Sequence, residues 1–264
     1  MTWFFLALRN LLRNARRSIT TVAAVALGYA AINILAGFTA YMFASIEDAH
    51  IYEQINGHVQ IWKAGARGYG GPDPGEYLIP AEDFAAIQAF AAEDPRILLS
   101  AGLLELAGNV DYEGTPGFFV GQAMVPEEKD AIHGRSTALR SADGSTYEGR
   151  PLTKDTPYGI AITTGMAENM DLEIGSDVIL MAPTISGQMN ALDAQVLQIA
   201  DVASESLNNR YIFMPLELGQ SLYDTDGVSC VRFLLADSGM TDEVVASLRE
   251  RFPESEWEVI PWYD

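Results

Sequence analysis

The sequence ITTVAAVALGYAAINILAGFTAYMF, residues 19 to 43, contains 25 residues and no formally charged side chain. A helix of that length, at about 1.5 Å per residue, spans the hydrocarbon core of a bilayer with some tilt. A secretory signal usually has an apolar core of only about 7 to 15 residues. We therefore predict a transmembrane helix over residues 19 to 43. Cleavage near residues 40 to 44, where small residues resemble a processing site, is the alternative.

This stretch separates the positive and negative charges of the chain. Four arginines precede it, and residues 1 to 46 contain no acidic residue, so this part carries a formal charge of +4. By the positive-inside rule, we expect the N-terminus in the cytoplasm and the chain beyond about Ser45 on the opposite side. The bulk of the chain is then periplasmic or extracellular. The arginines are Arg9, Arg13, Arg16 and Arg17.

Residues 1 to 18 predict a short basic amphipathic helix in the cytoplasmic interface of the membrane. Four apolar residues share one helical face, and the arginines lie largely on others. Trp3 is expected at the level of the lipid headgroups, with the arginines near lipid phosphates. The alternative is that these residues are the frayed start of the membrane helix. The apolar face consists of Phe4, Leu8, Leu11 and Leu12.

Small residues recur within the predicted span at roughly helical spacing, and a polar residue, Asn33, lies near its middle. Small residues let helices approach closely, and an amide in mid-membrane requires a hydrogen-bond partner. The pattern predicts packing against other membrane helices, although a lone anchor tolerates the same residues. The predicted packing residues are Ala24, Gly28, Ala31, Asn33 and Gly37.

The chain beyond the span is strongly acidic. The other 12 of the 16 Lys and Arg lie in residues 47 to 264 with all 36 Asp and Glu, which gives a formal charge of −24. Recognition of nucleic acid and of anionic lipid depends on basic patches, so this acidity argues against both. A solvated surface is favoured over an acidic docking site. Cys230, the single cysteine, lies in the apolar run VSCVRFLL, which favours a buried structural thiol over a nucleophile.

Two strand-helix-strand units lie at the two ends of the acidic part. Split βαβ units of this kind can share one sheet, as in ferredoxin-like folds. The first unit is predicted as a strand over 55–62, a helix over 80–93 and strands over 97–108 and 117–122. The second is predicted as a strand over 228–237, a helix over 240–252 and a strand over 257–260.

The segment between these units is richer in strands and predicts a second lobe inserted into the first. The predicted fold class is an α+β extracytoplasmic domain of two lobes, which follows one transmembrane helix. Residues 47–264 form the domain, with 47–125 and 226–264 in the ferredoxin-like lobe and 126–225 in the inserted β-rich lobe. Within the insert we predict a turn at Asp143 and Gly144, a helix over 165–170 and strands over 159–163, 177–182, 191–202 and 211–215.

Motifs that would indicate catalysis or metal binding are not recognisable in the sequence. His50, His58 and His133 occur in separate contexts without the spacing of a zinc site. The patterns GxSxG, SxxK and GxxxxGK[ST] do not occur, so the chain lacks a recognisable hydrolase serine and cannot be its own P-loop ATPase. Residues 224–227 resemble the start of a calcium loop but lack the downstream acidic ligand, which favours a turn. We predict no catalytic, cofactor or metal site in this chain.

Four segments contain degenerate, mainly structural motifs, such as a turn of the form x-x-Gly-x-x-Val and a Met-Pro-Leu helix start. The segments are LALRNLLRNARRSITTVAAVALG (6–28), EGRPL (148–152), IAITTGMAENMDLEIGSDVILMA (160–182) and YIFMPLELGQSLYDTDGVSCVRFLLAD (211–237). They resemble the MacB/FtsX/LolC-LolE-type permeases of ABC transporters, and the resemblance covers nearly the whole chain.

The resemblance implies a non-catalytic subunit of the bacterial inner membrane. Such permeases dimerise, with a second copy or a paralogue, and pair with cytoplasmic ATPase subunits, which would bind the ATP and Mg²⁺. They transmit nucleotide-driven motion to a MacB-like periplasmic core domain. The resemblance also implies contact with membrane lipids and with a lipoprotein or periplasmic adaptor, and the LALRNLLR sequence favours lipoprotein release.

One departure from the family concerns the C-terminal end. Relatives continue into three further membrane helices, whereas this sequence ends at PWYD without a second apolar span. We therefore expect a truncated or partial permease. The alternatives are a natural single-span sensor or scaffold that binds an envelope partner and a membrane-anchored hydrolase.

Overall fold

A computed structural model of the chain describes residues 3, 5, 9, 13, 15–69, 74–137, 147–201 and 207–264. The contacts divide the chain into two compact units, Met1–Glu47 and Asp48–Asp264. The helices are α1 (Ala15–Asp48), α2 (Ala66–Tyr69), α3 (Pro74–Tyr77), α4 (Ala81–Glu93), α5 (Pro126–His133), α6 (Thr164–Met170), α7 (Leu216–Tyr223) and α8 (Thr241–Arg251). The strands are β1 (Val59–Lys63), β2 (Ile97–Tyr112), β3 (Thr115–Met124), β4 (Tyr147–Gly149), β5 (Gly159–Thr163), β6 (Asp177–Pro183), β7 (Met189–Ala200), β8 (Tyr211–Pro215), β9 (Cys230–Leu235) and β10 (Trp257–Pro261).

Helix α1 is continuous over 34 residues and contains the predicted span. Its sequence has no proline and is rich in alanine, the strongest helix former. The helix passes residues 18 and 19 without a break, so Arg16 and Arg17 belong to α1 itself. It also continues beyond the predicted end at Phe43 and leads into a π-helical turn, Ala49–Glu53. At about 1.5 Å per residue, α1 is about 50 Å long, more than the roughly 30 Å of a hydrocarbon core.

Four strands of the second unit form an antiparallel row in the order β10-β1-β9-β2. Helix α4 connects β1 with β2, and α8 connects β9 with β10. This is the arrangement of a ferredoxin-like sheet whose two halves come from opposite ends of the domain, as the sequence predicted. The fold is a mixed α+β domain that follows one N-terminal apolar helix.

Six strands close into a ring. The pairings run from β2 to β3, β8, β5, β7 and β6, and β6 pairs with β2 again. Two of these pairs, β3 with β8 and β5 with β7, are parallel, and the others are antiparallel. A closed ring gives each of these strands two neighbouring strands, which shortens the free edges.

Strand β2 belongs to both the row and the ring. Its first half pairs with β9 from Ile97 to Leu103, and its second half pairs with β6 from Asn109 to Asp111. Strand β3 precedes the lobe boundary predicted at residue 125 and pairs with β8, which follows it. The contacts make Asp48–Asp264 one compact unit, and the division into two lobes stays a prediction.

Both faces of the row are covered, because its side chains alternate between two hydrophobic clusters. Val231 and Phe233 belong to the cluster that contains Ile87 of α4 and Leu248 of α8. Trp62, Cys230 and Leu234 point to the other face, where Ile132 of α5 is buried with them. Apart from Arg232, the residues on both faces of β9 are therefore apolar, which explains its largely hydrophobic sequence.

Several boundaries differ from prediction. The first strand begins at Val59 rather than residue 55, because Ile55 and Gly57 have φ angles of 59° and 69°, outside the extended region. Helix α5 was not predicted within the β-rich segment, although Pro126 and two following glutamates are typical of a helix start. The turn predicted at Asp143 and Gly144 lies outside the described residues.

Candidate functional site

The membrane helix is the first part of the candidate site. Among the described residues, one helix, Ala15–Glu53, is long and apolar enough to cross a membrane. The side chains from residue 19 to residue 46 are exposed on every face of α1. Exposed apolar surface is unfavourable in water by roughly 25 cal/mol per Å², so this helix requires a lipid or protein environment.

Polar side chains within the span donate hydrogen bonds to carbonyls of their own helix. The amide of Asn33 donates to the Tyr29 carbonyl at 2.8 Å. The hydroxyl of Thr39 donates to the Leu35 carbonyl at 2.9 Å, and Thr20 and Thr21 bond in the same way near the start of the span. Such local bonds reduce the unfavourable free energy of polar groups in lipid. Asn33 therefore has a partner for its donor within α1, and its predicted role in helix packing stays a prediction.

The predicted packing residues lie on two faces of α1. With about 100° between successive residues, Ala24, Gly28 and Ala31 share one face. Asn33 lies about 180° from Ala24, and Gly37 lies beside Asn33. The face of Asn33 continues through further small residues, so it forms a small-residue stripe along the helix. The residues that extend this stripe are Ala26, Ala30, Ala40 and Ala44.

The basic cluster precedes the exposed apolar surface. Trp3, Arg9 and Arg13 are helical and exposed, and Trp3 has 84% of its surface accessible. Arg16 and Arg17 are exposed in the first turn of α1. The apolar residues of the predicted interfacial helix, Phe4, Leu8, Leu11 and Leu12, lie outside the described residues, so its amphipathic face stays a prediction.

The second part of the candidate site consists of Asp48, the last residue of α1, and the segment that follows it. Asp48 is 8% exposed, and its carboxylate accepts hydrogen bonds from two residues that follow α5. The donors are the Ser136 hydroxyl at 2.7 Å, the Thr137 amide at 2.8 Å and the Thr137 hydroxyl at 2.9 Å. Charge-assisted bonds of this kind compensate the burial of a carboxylate.

A buried arginine contacts the same segment. Arg232 lies in the middle of β9 and is 3% exposed. Its Nη1 donates a hydrogen bond to the Ile55 carbonyl at 2.9 Å, while its Nε has no partner among the described residues. A hydrogen bond to a charged group contributes about 1.5–3 kcal/mol. Ile55 has a φ of 59°, and a β-branched residue in this region is strained by about 1–3 kcal/mol.

Arg232 also lines a groove of about 770 Å³. The Tyr211 hydroxyl donates to Oε1 of Gln122 at 2.9 Å within this groove. Burial raises the pKa of Tyr211 to about 12, the nearby Arg232 lowers it and Glu105 raises it. The groove is thus lined by a cation and an anion that both act on the phenol of Tyr211. Other lining residues include Gln60, Trp62, Ser229 and Ile260.

Arg232 and Ile55 were not predicted from the sequence as residues of the site. A charged residue within the apolar run VSCVRFLL was a usable signal, because an arginine in a fully buried strand requires a partner. Ile55 gave no such signal, since isoleucine is typical of the extended strand predicted there. The partnership of Ile55 and Arg232 joins positions 177 residues apart and depends on the tertiary fold.

The remaining candidates for chemistry are buried. Cys230 is inaccessible, and burial raises the pKa of its thiol to about 12, which confirms the predicted structural thiol. His58 is buried, and its Nδ1 accepts a hydrogen bond from the Leu235 amide at 3.1 Å. In the described part of the chain, no group of three or more His, Cys, Asp and Glu side chains has an arrangement suited to a metal ion.

Comparisons with known proteins identify the class of the chain. The family profile described as the MacB-like periplasmic core domain matches residues 18–251. The chain resembles the crystal structure of the periplasmic region of MacB from Actinobacillus actinomycetemcomitans, with a TM-score of 0.54 and 10% identity. That match covers 78% of this chain and 88% of the MacB chain. At this identity, the similarity establishes the fold alone.

A further structural match is the extracellular domain of the noncanonic ABC-type transporter YknZ from Gram-positive bacteria. It has a TM-score of 0.49 and 12% identity, and it covers 76% of this chain and 98% of that chain. No curated protein matches the sequence.

The apolar helix, the mixed α+β domain and the family match define a membrane-anchored component of an ABC transporter, of the MacB/FtsX permease type. The chain belongs to the MacB-like periplasmic core domain family. Membership of this family implies an ATPase partner.

Proposed function

We propose that this chain is a permease subunit that transmits motion from a cytoplasmic ATPase to an extracytoplasmic domain. The observation that carries the proposal is the continuous apolar helix α1, joined through residues 49–57 to a MacB-like core domain. A helix whose backbone groups are bonded within the helix can move as a rod, and displacement at its cytoplasmic end reaches the connected segment.

The orientation follows from the basic cluster. Arg16 and Arg17 lie at the start of α1, and Asp48 follows at its end. We propose that the arginines lie at the cytoplasmic surface, where anionic headgroups attract them, and that residues 48–264 lie outside the cytoplasm. The acidic surface of that domain is consistent with a location away from anionic lipid.

The partners we propose are an ATPase subunit, which would bind ATP and Mg²⁺, and a second permease copy or paralogue. In this arrangement the present chain is a non-catalytic subunit. The surface of α1 is exposed and contains small residues, which allow the backbones of other membrane helices to approach closely. This supports packing of α1 against other membrane helices. We propose lipoprotein release or export from the membrane as the process served, with a lipoprotein or periplasmic adaptor as an outer partner. The support for this cargo is the resemblance of the N-terminal sequence.

Coexpression with the ATPase encoded beside the gene tests the proposal. We expect the two proteins to copurify from membranes and the chain to change the rate of ATP hydrolysis. Charge reversal of Arg16 and Arg17 to Glu should reduce the fraction of the chain that is inserted with its N-terminus in the cytoplasm. Reversal of the exposed Arg67 to Glu is a matched control and should leave that fraction unchanged. Purification without any association, and with unchanged hydrolysis, would remove the transporter function and favour a single-span sensor or scaffold.

Orientation has a separate test, because Cys230 is buried and gives little background with thiol reagents. Single cysteines at exposed positions, Ala15→Cys and Ser255→Cys, would be treated with an impermeant maleimide in spheroplasts. We expect labelling of the cysteine at position 255 and protection of the one at position 15. The reverse pattern would contradict the proposed orientation.

A further inference from the structure

The connection between α1 and β1 is a compact segment, residues 49–57, that packs on strand β9. Within the segment, the Gln54 amide donates to the Ala49 carbonyl at 2.9 Å and the Gly57 amide to the Ile51 carbonyl at 3.0 Å. The His58 amide then donates to the Phe233 carbonyl at 2.8 Å. The segment is therefore folded back on itself and attached to β9 at its C-terminal end.

The backbone of this connecting segment departs from regular structure in two places. It begins with a π-helical turn. Such turns are rare in proteins, and those that occur are often at functional sites. Ile55 then adopts a φ of 59°, although its branched side chain disfavours that region. Strain of this kind persists only where surrounding contacts enforce it.

The contact that enforces the strain is made by Arg232. Its Nη1 donates to the Ile55 carbonyl at 2.9 Å from a strand that is buried along its whole length. The same side chain leaves its Nε unpartnered among the described residues, so its burial is incompletely compensated. The contact thus combines a strained backbone with an under-satisfied cation.

Release of this contact would relieve both the backbone strain at Ile55 and the incomplete hydrogen bonding of Arg232. Ile55 could return to a negative φ, and the guanidinium could reach water in the adjacent groove, which it already lines. The free energy gained from the charged hydrogen bond and the free energy lost to strain are of similar size. A latched arrangement that is favoured over the released one by only a few kcal/mol is what a mechanical switch requires.

We propose that Arg232 and Ile55 form a latch that holds the connecting segment to strand β9. In the latched arrangement the connecting segment is attached to β9 through Arg232, and in the released arrangement Ile55 has an ordinary backbone conformation. Arg232 is a positioning residue, because it acts through the connecting segment. The latch rests on the proposed function, since motion of α1 would drive its release.

Hydrogen exchange on the full chain in lipid nanodiscs tests the latch. Arg232→Met removes the donor, and it should accelerate exchange of the amides of residues 54–58 by about tenfold or more. Ile55→Gly keeps the carbonyl and removes the strain, so it should slow the same amides. Arg67→Met, at an exposed position of α2, is the matched control and should leave them within about twofold of the wild type.

The glycine variant separates a latch from a simple structural contact. A structural contact would lose order in both variants, because glycine also makes the unfolded segment more flexible. Slower exchange in Ile55→Gly, with partial recovery in the double variant Ile55→Gly/Arg232→Met, supports the latch. If Arg232→Met unfolds the domain, as acceleration of β3 and β8 amides would indicate, the Ile55→Gly result alone decides. Unchanged or faster exchange in Ile55→Gly overturns the latch.

A second arm distinguishes the latch from the proposed function. With the ATPase bound, addition of nucleotide should change exchange at residues 54–58 in the wild type and much less in Ile55→Gly. An exchange pattern that supports the latch in the chain alone, together with no ATPase association, would remove the transporter function and leave the latch. Association with the ATPase, together with exchange that neither Arg232→Met nor Ile55→Gly changes, would overturn the latch and leave the transporter function.

Discussion

The carboxylate of Asp48 accepts a hydrogen bond from the hydroxyl of Ser136, with 2.7 Å between the two oxygens. Ser136 is fully buried, and Thr137 adds two further bonds to the same carboxylate. The final residue of α1 is therefore bonded to the chain just after α5.

Asp48→Ala should destabilise the domain by about 2–3 kcal/mol, because the donors of Ser136 and Thr137 lose a charged acceptor. Urea unfolding followed by tryptophan fluorescence measures this change. Asp193→Ala, at an exposed position of β7, is the control and should change stability by less than about 0.5 kcal/mol. Equal effects in the two variants would contradict the assigned role of Asp48.

Stability should fall as acid is added, through His58. Burial lowers the pKa of His58 to about 4 from its ordinary value of 6.5; the nearby Arg135 lowers it further, and Asp237 raises it. Because the unfolded state binds the proton more readily, the contribution is complete above pH 6.5 and is lost as pH falls towards 4. The loss is about 3 kcal/mol at most. His58→Asn keeps an acceptor for the Leu235 amide and should flatten unfolding free energy across this range.

Glu128 gives the opposite pH dependence and serves as the comparison. Burial raises the pKa of Glu128 to about 7, and the neighbouring charge of Glu127 adds to the shift. The folded state binds this proton more readily, so the contribution is present below pH 4.5 and is lost as pH rises through 7. Glu128→Gln should remove this decrease in the free energy of unfolding between about pH 4.5 and pH 7. If His58→Asn and Glu128→Gln changed the pH dependence of the free energy of unfolding in the same direction, the roles assigned to both residues would be wrong.

Gly57→Ala should destabilise the domain more than Gly187→Ala. Both glycines have positive φ, 69° and 82°, but an added Cβ at Gly57 would lie 2.7 Å from the Phe233 carbonyl oxygen. At Gly187 the Cβ would meet nothing within 4 Å. We expect a loss of about 2–4 kcal/mol for the first and about 1 kcal/mol for the second. Thermal unfolding of both variants under identical conditions checks the order.

Cys230 should not react with thiol reagents in the folded protein. Its side chain is inaccessible, and burial raises its pKa to about 12, so neither thiolate nor access is available at neutral pH. Labelling should appear only as the domain unfolds in urea. Rapid labelling without denaturant would show that the face of β9 that contains Cys230 opens in the native state.

The two small-residue faces of α1 should differ in helix association. We expect the small-residue stripe that contains Asn33 and Gly37 to pack against another membrane helix, so Gly37→Leu should weaken crosslinking between copies in membranes. Gly28→Leu, on the opposite face, is the matched substitution and should have a smaller effect. A larger effect of Gly28→Leu would assign packing to the face of Ala24 and Ala31.

Much of the fold was predictable from local patterns. The helices over 80–93 and 240–252 and the strands over 159–163 and 211–215 were predicted to within a residue, because each has a strong period or a clear break. The two similar end units also indicated that β1, β9 and β10 can share one sheet. Closure of the ring through β6 and β2 did not, since pairing between strands distant in sequence depends on register that no local pattern specifies.

The sequence by itself determined the membrane helix and the separation of charge, because length, hydrophobicity and the sign of side chains are properties of consecutive residues. It also determined that Cys230 is buried, since its neighbours are apolar. Only the tertiary structure decided that Arg232 contacts Ile55 and that Asp48 bonds to Ser136. These contacts depend on which residues the folded chain brings within about 3 Å, and a hydrogen bond is decided at that distance.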